Sequence, residues 1–374
     1  MNSVTEITKP GSFTEDGVYA PKDKIAVALS FEGVFNDGAP ECGLTTFNAY
    51  RMLDWNFDAF GRTVEPEKFD SIRNSDWMVA FLRMRPCVNK AWHYFKVIDV
   101  LRDHPEERAR IISDPMDTGA FDVLLDDYHE KCNATDEIEK TLLDDAFYTE
   151  RTRMSTVEKG DVVPGDMEKY EKWVAIQSPF PQSKIEVKKL RKTIIYERDG
   201  GAPEIVSGFV PFFATSKDNT STELLCKTYV STGQLEADDY DDAGGIKCTI
   251  PRQRIFGKDN EIAAIVREEL DGYFESVKVK TGKYPDARDK VVQLVMIAHD
   301  AGVAHDRVWR VNDRYDAPEQ VDLWLYGFNR QFLVPGYTFP HDYGRAEKDG
   351  RIFVRREMEG SAEFLGQKAK RFGH

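Results

Sequence analysis

The apolar residues of this chain follow two different patterns, continuous runs and a helical repeat. Residues 25–29 form an unbroken apolar run that ends in a polar, glycine-containing turn, SFEGVFND, at residues 30–37. Such a run is typical of a strand buried on both faces of a parallel sheet. From residue 45 to residue 198, apolar residues instead recur three and four positions apart, which predicts helices. One of these stripes consists of Ile138, Leu142, Leu143 and Phe147.

Strand character returns after residue 199, in EIVSGFVPFFATS, and then alternates with helical stretches. A helix is predicted over NTSTELLCKTYVSTG, a short strand in IKCTIPRQRIF and a helix in NEIAAIVREELDGYFESV. A helix over residues 286–301, the strand RVWRV, a helix in APEQVDLWLYG and the strand QFLVPGY complete the pattern. Alternation at this spacing predicts βαβ units, and therefore an α/β fold with a Rossmann-like parallel sheet.

This pattern divides the chain into four parts. Residues 1–22 are predicted to be an irregular arm, and residues 23–44 with 199–336 to be the α/β core. Residues 45–198 are predicted to be a helical insertion after the first strand, reached through a loop at Gly38, Pro40 and Gly43. Residues 337–374 form a C-terminal extension of mixed aromatic and basic residues, which could pack on its own domain or on a partner.

Charge and cysteine content indicate which partners and which cellular compartment to expect. The chain has 374 residues, with 65 acids against 51 Lys and Arg, for a net charge of -14. Such a surface repels phosphate backbones and anionic lipid, so no nucleic-acid or membrane partner is expected. Five cysteines without C-x-x-C spacing indicate a reducing compartment, and no apolar run is long enough to span a membrane. A cytoplasmic protein is therefore expected.

Polar residues stand where the predicted strands end, which is where ligands bind in open α/β sheets. Ser30 and Glu32 follow the first strand, and Thr215 and Ser216 follow the second. Lys290 lies near the start of a predicted helix, and Asn312 and Asp313 follow the strand RVWRV, with Asp316 nearby.

Taken together, these strand ends resemble the motifs of the haloacid dehalogenase superfamily, whose members are mostly magnesium-dependent phosphatases. The first motif, Asp-x-Asp-Gly-(Thr/Val), is matched by Ser30-Phe31-Glu32-Gly33-Val34. The second is a strand that ends in Thr or Ser, the third is a lysine that opens a helix, and the fourth is an acidic strand end. They are matched by Thr215 or Ser216, by Lys290, and by Val311-Asn312-Asp313 with Asp316.

The resemblance implies a fold, a cap domain and a site. Residues 45–198 correspond to the family's cap, and the likeness covers about residues 24–334. Thr215, Ser216 and Lys290 would bind an anion, while Asp313, Glu32 and Asp316 would bind Mg²⁺. Ser30, Glu32, Thr215 and Lys290 would occupy the catalytic positions.

The first motif departs from the family at both of its acids. The family's first Asp is a nucleophile, and Ser30 replaces it; a serine without a neighbouring base is a poor nucleophile. Serine also supplies no negative oxygen to Mg²⁺, which prefers carboxylate and phosphate oxygens. Glu32 keeps the second acid but extends it by one methylene, about 1.5 Å, which displaces a general acid from its target.

Other conspicuous residues have simpler interpretations. His299 and His305 are six positions apart and do not form a ligand pair on one helix face. The tryptophans at 55, 77, 92 and 173 are expected to pack in the helical block. The acidic stretch at residues 236–245 lacks the spacing of a calcium loop and is expected to be a solvated loop.

Two functions follow from these residues. One is a catalytically degenerate binding or structural module, which could take a small anionic ligand, bind a protein partner or self-associate through residues 337–374. The other is a Mg²⁺-dependent hydrolase of a small phosphorylated substrate that uses Glu32 and Asp313 without an aspartyl intermediate. Whether the chain is an enzyme depends on which of the two holds.

Overall fold

The computed structural model divides the chain into two compact units. It describes residues 23–54, 56–57, 59–158, 161–192, 194–197, 204–215, 219–236, 240–241, 250–251, 255–256, 285–315, 323–324 and 327–371. The sheet unit consists of the described residues within Met1–Asn36, Pro179–Gly336 and Tyr343–His374, and the helical unit consists of those within Asp37–Ser178 and Tyr337–Asp342.

The strands are β1 (Asp23–Ser30), β2 (Asn36–Asp37), β3 (Ser178–Pro179), β4 (Ile194–Glu197), β5 (Glu204–Ala214), β6 (Tyr240–Asp241), β7 (Ile250–Pro251), β8 (Ile255–Phe256), β9 (Val308–Asn312), β10 (Arg330–Leu333) and β11 (Ile352–Val354). Among the described residues, seven strands form one sheet in the order β11-β10-β9-β1-β5-β4, with β8 also pairing with β5. All of these pairs are parallel except β4 with β5. The predicted α/β class with a Rossmann-like parallel sheet is confirmed.

Strand β1 lies in the middle of this sheet because its residues suit burial on both faces. Residues 25–29 are all buried, and β1 pairs with β5 on one side and β9 on the other. Helix Pro285–Ala301 covers one face, where Val291 and Val295 join Ala26, Ala28 and Phe212 in a single apolar cluster. The apolar run that opens the chain's pattern is thus the core strand that the sequence predicts.

The helices are α1 (Ala39–Leu53), α2 (Asp76–Met84), α3 (His93–Asp103), α4 (Pro105–Ser113), α5 (Thr118–Ala134), α6 (Glu137–Ser155), α7 (Met167–Val174), α8 (Pro181–Lys192), α9 (Asn219–Ser231), α10 (Pro285–Ala301), α11 (Pro340–Asp349) and α12 (Ser361–Arg371). Helices α1 to α7 belong to the helical unit, and α8, α9, α10 and α12 to the sheet unit. None of the described helices is long and apolar enough to cross a membrane.

The observed unit boundaries differ from the predicted ones at both ends of the helical block. Helix α1 already begins at Ala39, because Pro40 in its first turn favours a helix start rather than the predicted loop. Helix α8 ends at Lys192, inside the predicted helical block, and Ile194 and Ile195 begin strand β4, as β-branched residues favour. The helical unit ends at Ser178, before α8 begins, and not at residue 198.

The helical unit buries most of its predicted stripes, but not all. Phe47 contacts Phe57, Phe60, Trp77 and Phe81, and Tyr94 stacks on Phe147. Trp92 and Trp173 are buried, as predicted, whereas Trp55 lies outside the described residues. Two members of the predicted α6 stripe are exceptions, since α6 is buried only along its second half; they are Ile138, 75% exposed, and Leu142, 60% exposed.

The C-terminal extension joins the sheet unit over residues 343–371. Strand β11 adds a parallel edge to β10. Helix α12 packs on α8, where Glu186 Oε2 accepts a hydrogen bond of 2.9 Å from the N–H of Ala362, in the first turn of α12. Residues 337–342 belong instead to the helical unit. Packing of the extension on its own chain, one of the two expectations, is what the structure shows for these residues.

Candidate site at the carboxyl ends of the central strands

Three adjacent strands bring the predicted first, second and fourth motifs to one edge of the sheet. Ser30 is the last residue of β1 and is paired in register with Ala214, so Thr215 follows directly beside it. On the other side, Leu29 is paired with Val311, which places Asn312 and Asp313 at the same edge. Side chains from all three strand ends therefore converge there, as expected for the ligand edge of a parallel sheet.

The Ser30 hydroxyl is hydrogen-bonded to the side chain of Asn312. Ser30 Oγ donates to Asn312 Oδ1 at 2.9 Å, and Asn312 Nδ2 donates to the carbonyl oxygen of Arg314 at 2.9 Å. The second bond fixes the orientation of the amide, because only Nδ2 can donate to a carbonyl. Asn312 is buried. The sequence alone assigns Asn312 no role of its own. Its position at a strand end, just before Asp313, is the feature that could have marked it as a site residue.

Glu32 is held by a short chain of hydroxyl groups. Thr215 Oγ1 donates to Glu32 Oε1 at 2.9 Å, and Thr222 Oγ1 donates to Thr215 Oγ1 at 3.1 Å. Both threonines are buried. Thr222 lies in the first turns of α9 and was not predicted as a site residue. This chain fixes Thr215 as a donor to the carboxylate.

Helix α10 approaches the same strand end. Gln293 Nε2 donates to the carbonyl oxygen of Thr215 at 2.8 Å. Lys290 is three residues earlier in α10, so it lies on the same helix face as Gln293, one turn toward the N-terminus. The predicted lysine therefore occupies a helix face that packs beside Thr215. Ser216 and Asp316, the two remaining predicted residues, lie outside the described residues.

The turn after β1 leaves no room for side chains at Gly33. Gly33 has a φ of +86°, and a Cβ atom there would lie 2.0 Å from Asp313 Oδ2. A Cβ atom on Gly336 would lie 2.0 Å from the carbonyl oxygen of Gly33. The Asp313 carboxylate, itself buried, is thus pressed against the backbone of the first-motif turn.

Aromatic residues of the turn after β1 pack against a phenylalanine of β5. The ring of Phe213, in β5, lies 6.0 Å from that of Phe31 and 5.1 Å from that of Phe35, in edge-to-face arrangements. Tyr229 donates a hydrogen bond to Asn36 Oδ1. The backbone that carries Glu32 and Gly33 is therefore positioned by packing on both sides.

The resemblance implies Mg²⁺, and the described residues do not fit that ion. Ser30 and Asn312 are neutral, and the Ser30 hydroxyl donates its hydrogen bond to the Asn312 amide oxygen. Glu32 and Asp313 supply the carboxylates that remain, and in the described part of the chain no group of three or more His, Cys, Asp or Glu could hold a metal. Because Mg²⁺ requires near-octahedral oxygen ligands and prefers carboxylates, these residues make a poor site for it.

The isolated histidines have packing or surface roles. His299 is exposed near the end of α10, and the His305 ring stacks on Phe328 with centroids 4.7 Å apart. Most of the acidic stretch at residues 236–245 lies outside the described residues.

A cavity beneath the sheet is separate from this chemistry. It is lined mainly by apolar residues of β1, α8 and α12, including Leu29, Val187 and Leu365, and has a volume of about 30 Å³. That volume corresponds to about one water molecule. The cavity is therefore too small to hold a ligand.

Comparison with known proteins gives structural likenesses only. No family model matches the chain, and no curated protein matches it. One similar solved structure is a haloacid dehalogenase-like family hydrolase from Streptococcus pneumoniae, 9% identical with a TM-score of 0.33, covering 91% of this chain and 98% of that one. Another is a haloacid dehalogenase family hydrolase from Deinococcus radiodurans with bound phosphate and sodium, 10% identical with a TM-score of 0.35, covering 93% and 96%.

A third, solved by X-ray as a structural-genomics target, is 12% identical with a TM-score of 0.43, covering 94% of this chain and 100% of that one. Likenesses at these TM-scores carry no argument about the reaction. The class that the fold and the strand-end site define is an α/β protein with a Rossmann-like parallel sheet and a ligand edge at β1, β5 and β9. The first two structures come from the superfamily that the motifs of this chain resemble.

Proposed function

We propose that this chain is a haloacid dehalogenase-like protein that binds a small anionic ligand at the ends of β1, β5 and β9 and does not hydrolyse phosphate esters. The observation that carries the proposal is the hydrogen bond from Ser30 to Asn312. It occupies the position where the resemblance expects an aspartate nucleophile.

The chemistry of this pair opposes nucleophilic attack by serine. A serine hydroxyl becomes a nucleophile when a neighbouring base takes its proton. Ser30 instead donates its proton to an amide oxygen, which is not a base at neutral pH, and the amide is held by Arg314. Glu32 accepts a hydrogen bond from Thr215, and among the described residues Ser30 Oγ is hydrogen-bonded to Asn312 and to no carboxylate.

The retained groups support binding. The edge of a parallel sheet at its carboxyl ends is the usual ligand site of such folds. Lys290 contributes a cationic side chain on the adjacent face of α10. Thr215 has a buried hydroxyl there, whose single proton would turn from Glu32 to the anion on binding. These two residues are the ones that we assign to the anion.

A second function has its own observation in favour. Glu32 and Asp313 both remain as carboxylates at the turn, with Asp313 directly against Gly33. They are the residues that a magnesium-dependent hydrolase without an aspartyl intermediate would use.

Turnover of p-nitrophenyl phosphate with MgCl₂ separates the two functions. We expect no turnover by the natural chain and a gain by the Ser30→Asp/Glu32→Asp/Asn312→Asp variant, because Asn312 Oδ1 would otherwise face the new carboxylate at position 30. Ser113→Asp/Asn133→Asp, two exposed positions in the helical unit, is the control for the added charge. Magnesium-dependent turnover by the natural chain would favour the hydrolase and overturn the proposal.

Binding is tested separately with inorganic phosphate. Phosphate is expected to raise the melting temperature of the natural chain, since a ligand that binds only the folded state stabilises it. Lys290→Met should lose this effect, and Lys348→Met, an exposed lysine in α11, should keep it. If phosphate does not change the melting temperature, the anion-binding proposal is wrong and a structural role through self-association is favoured instead. Sedimentation of the natural chain then measures its oligomeric state.

A further inference from the structure

The two neutral residues at the site form one unit. Ser30 lies where the first motif of the resembling family has an aspartate, and Asn312 lies at the strand end where its fourth motif is acidic. The structure joins them by a hydrogen bond of 2.9 Å. Each therefore satisfies the polar group that the other would leave unpaired.

We infer that the Ser30–Asn312 pair takes the place of a metal-binding carboxylate pair, so that this site holds its anionic ligand without a divalent cation. The inference rests on the proposed function for the ligand, but its first part concerns the metal alone. This first part follows from the hydrogen bond between Ser30 Oγ and Asn312 Oδ1 at the ends of β1 and β9.

Charge is the first argument. Two carboxylates close together repel each other and an incoming anion, and a bound cation offsets both effects. A hydroxyl and an amide carry no net charge, so they do not require a cation for compensation. An anion beside them meets less repulsion than it would beside two further carboxylates.

Orientation is the second argument. Asn312 Nδ2 is bound to the carbonyl oxygen of Arg314, so Asn312 presents Oδ1 to position 30. That oxygen suits a donor such as a hydroxyl. An aspartate at position 30 would face it with a second acceptor, and turning the amide would break the bond to Arg314.

The two positions are consequently coupled. Ser30→Asp alone places a carboxylate against Asn312 Oδ1, and Asn312→Asp alone replaces an amide with a charge beside Asp313. Only the Ser30→Asp/Asn312→Asp variant places carboxylates at both of these paired positions, in addition to Glu32 and Asp313. We therefore expect cation binding to appear in the double variant and not as the sum of the single ones.

Calorimetric titration of the full chain with MgCl₂ or MnCl₂, without any phosphate ester, tests this inference. The natural chain should give no saturable heat and no rise in melting temperature. The double variant should give saturable heat, with an affinity at least about 10-fold above the upper limit that the titration of the natural chain sets. Ser113→Asp/Asn133→Asp, two exposed positions in the helical unit, adds the same charge as a matched control.

The outcomes distinguish this inference from the proposed function. Saturable Mg²⁺ binding by the natural chain that Asp313→Asn abolishes would overturn the inference, whether or not the chain hydrolyses esters. Hydrolysis by the natural chain without added cation would overturn the proposed function alone. If circular dichroism shows the double variant unfolded, Asn312→Asp is titrated instead, and tight Mg²⁺ binding by that single variant contradicts the coupling.

Discussion

The carboxylate of Asp313 lies so close to Gly33 that a Cβ atom on Gly33 would stand 2.0 Å from Asp313 Oδ2. Real Cβ atoms do not approach a carboxylate oxygen to this distance, so the turn after β1 and the end of β9 are fitted to a glycine. The φ of +86° at Gly33 is a second reason, because residues with a side chain rarely adopt it.

Gly33→Ala is expected to lower the free energy of unfolding by about 2–5 kcal/mol, combining about 1–2 for the left-handed backbone with about 1–3 for the steric clash. Gly233 provides the matched control. Its φ is +75°, and no atom of the described residues, its chain neighbours aside, lies within 4 Å of where its Cβ would stand. Gly233→Ala should cost about 1–2 kcal/mol from the backbone alone. Urea denaturation measures both.

The difference between the two variants isolates the contact with Asp313. Equal losses for Gly33→Ala and Gly233→Ala would contradict it, because they would leave only the backbone effect.

The sequence predicts the site best where local pattern and fold agree. The apolar run at residues 25–29 specifies a doubly buried strand, and the turn that follows it fixes where Ser30 and Glu32 stand. Parallel pairing then brings Thr215 and Asp313 beside them, since the carboxyl ends of neighbouring strands share one edge. Period and topology were sufficient for these positions.

The hydrogen-bond partners within the site could not be predicted in this way. The partner of Ser30 is 282 residues away along the chain, and that of Glu32 is 183 residues away. Both partners depend on the register between strands and on side-chain rotamers, which no local pattern encodes. Thr222 was missed because a threonine in the first turns of a helix is usually explained by capping.

The Ser30–Asn312 hydrogen bond should appear as a coupling free energy. In a cycle of Ser30→Ala, Asn312→Ala and the double variant, we expect a coupling of about 0.5–1.5 kcal/mol, the usual net value of a hydrogen bond. Asn312→Ala alone should cost more than Ser30→Ala, because it also removes the bond to Arg314. Thermal or urea unfolding of the four proteins provides the values.

A cycle of Ser30→Ala with Ser113→Ala serves as the control, because Ser113 lies in the helical unit and bonds only the carbonyl oxygen of Arg110 among the described residues. These two changes should add within about 0.5 kcal/mol. Additivity in the Ser30–Asn312 cycle as well would show that the hydrogen bond contributes nothing.

Thr215→Val is expected to destabilise the chain by about 1–3 kcal/mol, the cost of leaving a buried polar group unpaired. Valine has nearly the shape of threonine, but it removes both the donor to Glu32 and the acceptor for Thr222. Thr228→Val is the control: Thr228 is equally buried, yet its hydroxyl bonds only the carbonyl oxygen of Leu224 within α9 among the described residues.

Thr228→Val should therefore cost less than Thr215→Val in denaturation experiments. Thr215→Val should also weaken the melting-temperature shift with inorganic phosphate, which Thr228→Val should leave intact. A phosphate shift unchanged in Thr215→Val would remove Thr215 from the anion site.

Glu186 gives the attachment of helix α12 a pH dependence. Burial by itself would raise the pKa of Glu186, but hydrogen bonds from the Ala362 N–H and from Lys189 outweigh it, so the pKa is lowered from its ordinary value. A carboxyl with a lowered pKa in the folded state stabilises the fold above its unfolded pKa of about 4.3. This stabilisation is lost as the pH falls through the lower, folded-state pKa.

Glu186→Gln should accordingly lower the free energy of unfolding by about 1–2 kcal/mol at neutral pH, the usual value of a helix N-terminal cap with a favourable charge. The difference between Glu186→Gln and the natural chain should shrink below about pH 4. Glu363→Gln removes the same formal charge from an exposed position in the first turn of α12 and should change stability by less than about 0.5 kcal/mol. Urea denaturation from pH 3 to pH 8 tests both variants. A constant difference between Glu186→Gln and the natural chain across this range would show that the charge on Glu186 does not stabilise the attachment of α12.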